Sequence, residues 1–164
     1  MNRLSWIKDL VLAEQEMEQQ GMVDLAFAHD SAKNLEQLSI EFLRELKAKF
    51  TEATNTFNQY KGPQGQIKVY GVSKTVADFM LFRNGFKLIF SLKHPGVLTI
   101  ASSQMTNVYV PGNTDAENQN AIRLVLKAKW GPFEELIWTY QENEVKVDHL
   151  VRYYLRAFAR SSSK

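Results

Sequence analysis

Cysteine is absent from the 164 residues. Disulfides, thiol nucleophiles and cysteine-ligated zinc or iron–sulfur centres are thereby excluded, and the composition fits a reducing compartment. Long hydrophobic runs are missing as well. The opening segment MNRLSWIKDLVLAEQEMEQQ interrupts its apolar residues with Lys8, Asp9 and Glu14, so it has no unbroken signal-peptide core, and no other run reaches membrane-spanning length. A cytoplasmic chain without a membrane span is the expectation. Histidine is scarce: His29, His94 and His149 lie far apart, and none stands in a metal-ligand spacing such as HExxH. Neither GxxxxGK[ST] nor GxGxxG occurs, and KGPQGQ at 61–66 has glycines but no following helix to receive a phosphate. GxSxG is missing too. Glu134 and Glu135 point to opposite faces of a strand, while Glu16 and Glu18 fall on different sides of a helix, so neither pair can share a substrate. No metal or other cofactor is expected, and a non-catalytic role is favoured over an enzyme whose site is assembled from distant loops.

What is present is enough apolar residue for a core. A chain of this length can bury roughly 70% of its unfolded surface without metal or disulfide support. One domain is expected over 1–164, with a helical part at 1–62, an antiparallel sheet at 66–141 and a helix at 148–160. Charge divides the same way: residues 1–60 carry six basic against ten acidic side chains, a net of −4, and the remainder fourteen against eight, a net of +6. An acidic helical part and a basic sheet part offer two differently charged surfaces.

The first helix is expected over 3–19, with Leu4, Ile7 and Val11 on one stripe, Trp6, Leu10 and Met17 beside it, and Gly21 as its stop. MVDLAFAH has no period and reads as a connector or short helix. A second, long helix is expected over about 31–60, capped by Asp30 or Ser31 and ended by Lys61-Gly62-Pro63. Its Leu35, Leu38, Phe42, Leu46, Phe50, Ala53, Phe57 and Tyr60 recur at steps of three or four. From Gln66 the period becomes two. QIKVYGV, the runs on either side of Asn84-Gly85, VLTIAS after His94-Pro95-Gly96, and a short NVYV supply strands, and PGNTDAENQN reads as a loop.

Asn84-Gly85 fixes one register. A type I′ turn needs positive φ at both central residues, which Asn tolerates and Gly adopts freely. Phe79 then pairs with Phe90, and Phe79, Leu81, Arg83, Phe86, Leu88, Phe90 and Leu92 share a face that must be core. The opposite face carries Asp78, Met80, Phe82, Lys87, Ile89, Ser91 and Lys93, a mixed set with three large apolar side chains in its middle. A second hairpin is expected at 122–140, with Trp130 opposite Glu134 across a loop of Gly131 to Phe133 and Lys129 opposite Glu135. After QENE, a short VKV leads to Asp148, the expected N-cap of a helix lined by Leu150, Val151, Tyr154, Leu155 and Phe158. The whole is an α+β fold: two N-terminal helices, a mostly antiparallel sheet of about six or seven strands, and a C-terminal helix.

Three functional readings follow. The first is a protein-interaction module of adaptor or scaffold type, whose Met80, Phe82 and Ile89 meet a protein partner or a second copy in a homodimer; the competing reading of this patch is a second core layer. The second reading is binding of nucleic acid or another anionic surface. Arg152, Arg156 and Arg160 form a ridge on the last helix, Arg123, Lys127 and Lys129 share the outer face of a strand, and Tyr153 offers a stacking ring. Against it stands an ordinary solvated helix face with arginines near its C-terminus. The third is a small-ligand site or enzyme pocket between the long helix and the sheet.

Overall fold

Periodicity that switches from 3.6 to two calls for helices followed by a sheet, and the computed structural model has that order of elements. It describes residues 4–21, 31–104 and 122–163. MVDLAFAH, Asp30, His29, NVYV and PGNTDAENQN lie outside the described residues. The chain divides into two units, Met1–Ala32 and Lys33–Lys164.

The first unit contains helix α1, Ser5–Gln20. Gly21 closes it in a left-handed conformation, φ 64°, and donates its N–H to the Met17 carbonyl at 2.9 Å. This is the glycine C-terminal cap, which a side chain bearing Cβ resists. None of the helix's residues is buried, and Leu4, Trp6, Ile7, Leu10, Val11 and Met17 are all exposed.

The second unit holds helix α2 (Ser31–Lys61), seven strands and a last helix, α3 (Val147–Ser162). The strands are β1 (Lys68–Gly71), β2 (Phe79–Arg83), β3 (Phe86–His94), β4 (Val97–Gln104), β5 (Ile122–Trp130), β6 (Leu136–Tyr140) and β7 (Asn143–Glu144). They pair in chain order, each antiparallel to the next, as an up-and-down meander. The fold is α+β, with three helices and a seven-stranded antiparallel sheet among the described residues.

The β2–β3 hairpin has the expected register, Phe79 with Phe90 through Arg83 with Phe86. Asn84 and Gly85 take φ of 52° and 82°, as a type I′ turn requires. On the inward face Phe79, Leu81, Leu88 and Phe90 join Leu98 and Ile100 of β4, Leu126 of β5 and Trp138 of β6 in one core. Leu43, Leu46 and Phe50 of α2 and Leu150, Val151 and Phe158 of α3 close it. Phe42 stands at its rim, its ring stacked on Trp138 at 4.7 Å.

Polar groups that enter this layer find partners. Ser39 donates to the Leu35 carbonyl at 2.6 Å and accepts from the Gly96 amide at 2.9 Å, tying α2 to the β3–β4 turn. The Asn58 side chain accepts from the Ile67 amide at 2.8 Å and donates to the Ile67 carbonyl at 2.9 Å. It thereby gives a strand-like pairing to a residue that leads into β1. At the β3 irregularity between Leu92 and His94, the Asp78 carboxylate accepts the Leu92 amide at 2.9 Å. Such pairing is what makes a buried polar group tolerable.

Four sequence expectations are corrected. Tyr60 is 89% exposed, beyond the end of the core, whereas Ser39, Leu43 and Thr54 are buried, so the inward line of α2 runs slightly around the helix from the purely apolar stripe. In the second hairpin Trp130 pairs with Leu136 and Lys129 with Ile137; the loop has three residues, but they are Pro132, Phe133 and Glu134. Proline's fixed φ suits the first position of the turn. Glu134 then takes the left-handed position, φ 62°. Glu135, expected opposite Lys129, instead turns its carboxylate back onto the Phe133 amide at 2.8 Å. The QENE–VKV region holds only the two-residue β7, and α3 begins at Val147 after an N-cap of Lys146, leaving Asp148 inside the first turn, where its charge favours the helix dipole.

Tyr154 on α3 sets its ring edge-on to Phe90 at 6.0 Å. Burial, with Tyr153 and Tyr140 nearby, pushes its phenol from 10.0 up to about 12. The unfolded chain therefore releases this proton first, so the associated stability is intact below pH 10 and lost as pH rises from 10 to about 12. Denaturation midpoints of Tyr154→Phe and the parent chain, compared from neutral pH upward, should show a steeper alkaline fall in the parent.

Candidate protein-interaction face

Both helices of the second unit place their buried residues in the core on the inward side of the sheet. Because side chains alternate, the other side is built from the intervening positions. The register gives its rows. Lys68, Phe82, Lys87 and Ser103 lie side by side across β1 to β4, and the next row is Tyr70, Met80, Ile89 and Ala101. Thr99 and Val125 follow on β4 and β5, then Lys127 beside Thr139, and Lys129 beside Ile137.

The three residues singled out from the Asn-Gly hairpin are therefore neighbours. Met80 pairs with Ile89, Phe82 stands two positions along β2, and all three are half-buried. Tyr70, 43% exposed, extends the patch; its ring lies 6.3 Å from that of Phe82. Val125, 40% exposed, continues it toward β5. Tyr70 and Val125 were not identified from sequence. The alternation of QIKVYGV puts Tyr70 on one face of its strand, but no fixed-length turn joins β1 to β2, so the face it shares with Phe82 was unspecified.

Lysines surround this apolar band. Phe82 sits directly between Lys68 and Lys87 across the strands, and Lys127 and Lys129 mark the other end. Carboxylates share this side: Asp78 precedes Met80 by two positions, Glu135 precedes Ile137 by two, Glu144 pairs with Thr139, and Glu142 lines a cavity of about 400 Å³ with Val125, Lys127 and Thr139. The surface is an apolar centre edged by charges of both signs, a form that marks recognition sites more than solvated sheet.

The basic residues do not form one surface. Lys127 and Lys129 stand on the outer side of β5, alternating with Leu126 and Ala128 of the core side. Arg152, Arg156 and Arg160 are exposed on α3, which packs on the inward side. The sheet lies between the two groups. Arg123 occupies the outer row of β5 by its backbone, and its side chain lies outside the described residues. Tyr153 is exposed, with its ring edge-on to Tyr154 at 5.1 Å. Between α2 and α3 runs an open groove of about 450 Å³ whose charged lining mixes Lys49 and Arg152 with Glu52 and Asp148. Mixed signs give an anion no net attraction there. His94 and His149 are both exposed, and among the described residues no group of three or more histidines, aspartates and glutamates is placed to hold a metal ion. No helix among the described residues is long and apolar enough to cross a membrane.

Compared with models of protein families, with curated proteins and with solved structures, the chain matches none of them.

Proposed function

We propose that this chain is a non-catalytic protein-interaction module that receives its partner on the outer face of the sheet, centred on Met80, Phe82 and Ile89. One observation carries the reading: the core of the second unit, with both of its helices, is on one side of the sheet, and a connected apolar band is on the other, with Phe82 between Lys68 and Lys87. A solvated antiparallel face alternates polar residues against the core side, and five large apolar side chains in adjoining rows depart from that pattern. The arginine ridge on α3 supports anion binding less well, since the structure separates it from the lysines of β5.

Phe82→Glu tests the reading. It places a charge in the centre of the band while leaving the core residues untouched. The variant should keep its circular dichroism spectrum and a cooperative unfolding transition, and it should lose any assembly that sedimentation detects in the parent chain. Loss of folding would put Phe82 in an interior layer and overturn the proposal.

A further inference from the structure

We infer that the protein partner is received as an extended segment along the free edge of β1, with an apolar residue next to an acidic one, an assignment that rests on the interaction reading above. The backbone of β1 carries it. The Val72 amide donates to the Asp78 carbonyl at 2.9 Å, one step beyond the pair of Gly71 with Phe79. In an antiparallel ladder, residues that bond to the neighbouring strand alternate with residues that do not. Lys68 and Tyr70 therefore bond to β2, while Ile67, Val69 and Gly71 turn their N–H and C=O groups outward. Ile67 is already answered, since Asn58 accepts from its amide at 2.8 Å and donates to its carbonyl at 2.9 Å. Among the described residues no hydrogen bond reaches the outward groups of Val69 and Gly71, and β1 is the end strand of the sheet. Asn58 thus occupies the edge as a strand would, and beyond it four backbone groups stand open for an added strand.

Side chains choose the occupant. A partner residue beside Tyr70 lies on the outer side of the sheet, at the end of the band of Tyr70, Met80, Phe82 and Ile89, where an apolar side chain extends it. The next residue, beside Gly71, lies on the inward side. There the Lys47 amine stands 3.4 Å from the point a Gly71 Cβ would occupy, and the missing side chain leaves a carboxylate room to reach it. The helix positions three and four residues from Lys47 hold Leu43, Arg44, Phe50 and Thr51, so no acid on its own helix face satisfies it. The Asp78 carboxylate, on the outer side, accepts the Leu92 amide, and Glu135, Glu142 and Glu144 lie by β6 and β7 at the opposite edge. A second copy fits less well. Its β1 uses all the open groups only with Tyr70 opposite Tyr70, which sets Val69 beside Gly71 and brings two Lys47 amines to one seam with no carboxylate between them.

The test is a selection. The full chain is immobilised and offered a displayed library of octapeptides randomised at every position. Enriched peptides should share an acidic residue adjacent to a large apolar one. N-methylation of a selected peptide at alternate backbone amides should weaken binding at least about tenfold, with little effect at the amides between, the period of two that strand pairing imposes. Gly71→Pro deletes an outward N–H and sets a ring there, while the bonds from Lys68 and Tyr70 to β2 remain. It should bind at least about tenfold more weakly, as should Lys47→Glu, and Phe82→Glu should also lose affinity because its ring neighbours Tyr70. Circular dichroism confirms that the variants are folded, and N-methylation leaves the protein unaltered. Binding indifferent to Gly71→Pro and to every N-methyl group, yet lost on Phe82→Glu, would overturn strand addition and leave the interaction face standing. No enriched peptides, or peptides indifferent to Phe82→Glu as well, would overturn both. Pairing without an acidic residue, unchanged in Lys47→Glu, would overturn the acidic chemistry. A parent chain that sediments as a dimer and becomes monomeric as Gly71→Pro would replace the peptide by a second copy.

Discussion

Phe90→Ala should lower the stability of the folded chain by about 3–5 kcal/mol, a large share of the total for a domain of this size. Phe90 is fully buried, and three other rings depend on it. It stacks on Phe79 at 4.8 Å, leans against Phe50 of α2 at 4.9 Å and receives the edge of Tyr154 from α3. Truncation would open a cavity where β2, β3 and both helices meet, and none of these elements can move into it without leaving another gap. Ile89, one residue away on the other face, is half-buried, and Ile89→Ala should cost about 1 kcal/mol. Urea midpoints of the two variants provide the comparison. Equal midpoints would mean that the two faces of β3 are not divided into core and surface.

The contrast depends on a register that was legible because its cause is local. Asn84 and Gly85 specify the turn, the turn specifies the pairing, and alternation sends Phe90 one way and Ile89 the other. The limits of α2 were legible for a similar reason, since the Lys61-Gly62-Pro63 stop acts on the backbone directly. The inward line of α2 was not. Ser39 and Thr54 are polar by composition, yet each hydroxyl donates to a carbonyl of its own helix, Leu35 and Thr51 respectively, and a polar group satisfied in this way can be buried. Chemical identity alone gave no warning of that. The second hairpin followed its hydrophobic pattern, which the observed and expected registers satisfy equally; Pro132 decided between them. The start of α3 was moved forward by Val147, which packs against the core, although Asp148 is the better capping residue.

The same distinction applies to the candidate face. Met80, Phe82 and Ile89 came from one hairpin and could be grouped in advance. Lys87 came with them, opposite Phe82 in the same hairpin. Lys68, Tyr70 and Val125 come from the pairing of β1 with β2 and of β4 with β5, contacts between segments whose connections set no register. The extent of the face, from Tyr70 on β1 to Val125 on β5, is thus a property of the assembled sheet.

Arg83 is the other residue whose surroundings only the fold could supply, and exchanging it should separate two outcomes widely. It lies at the end of the inward row of β2 and is 4% exposed. Its guanidinium lies 5.3 Å from the Phe57 ring centroid, donates through Nη1 to the Ala159 carbonyl at 3.2 Å, and has Nε without a hydrogen-bond partner. Among the described residues no carboxylate pairs with it. Beside it, Asn84 donates to the Ser162 carbonyl at 2.7 Å, so the hairpin tip holds the last turn of α3 with two side chains. The positive charge is therefore answered by the negative end of a helix and by the face of a ring. Both are weaker than an ion pair, and the cost of desolvating the cation cancels much of their contribution. Arg83→Met keeps the length and the contact with Phe57, and its loss of two hydrogen bonds, to the Ala159 carbonyl and a long one of 3.5 Å to the Ser162 hydroxyl, is offset by the relief of that desolvation. It should unfold within about 1 kcal/mol of the parent chain. Arg83→Glu reverses every term, setting a carboxylate against a helix C-terminus and a negative ring face, and should cost about 3–5 kcal/mol. Its folded-state pKa would lie above the unfolded value, so the deficit should shrink as pH falls and the carboxyl takes up a proton. Urea midpoints of both variants at neutral and mildly acidic pH decide the matter. A loss in Arg83→Met as large as that in Arg83→Glu would show that the hydrogen bonds of the cation, and not its packing, hold α3 to the hairpin.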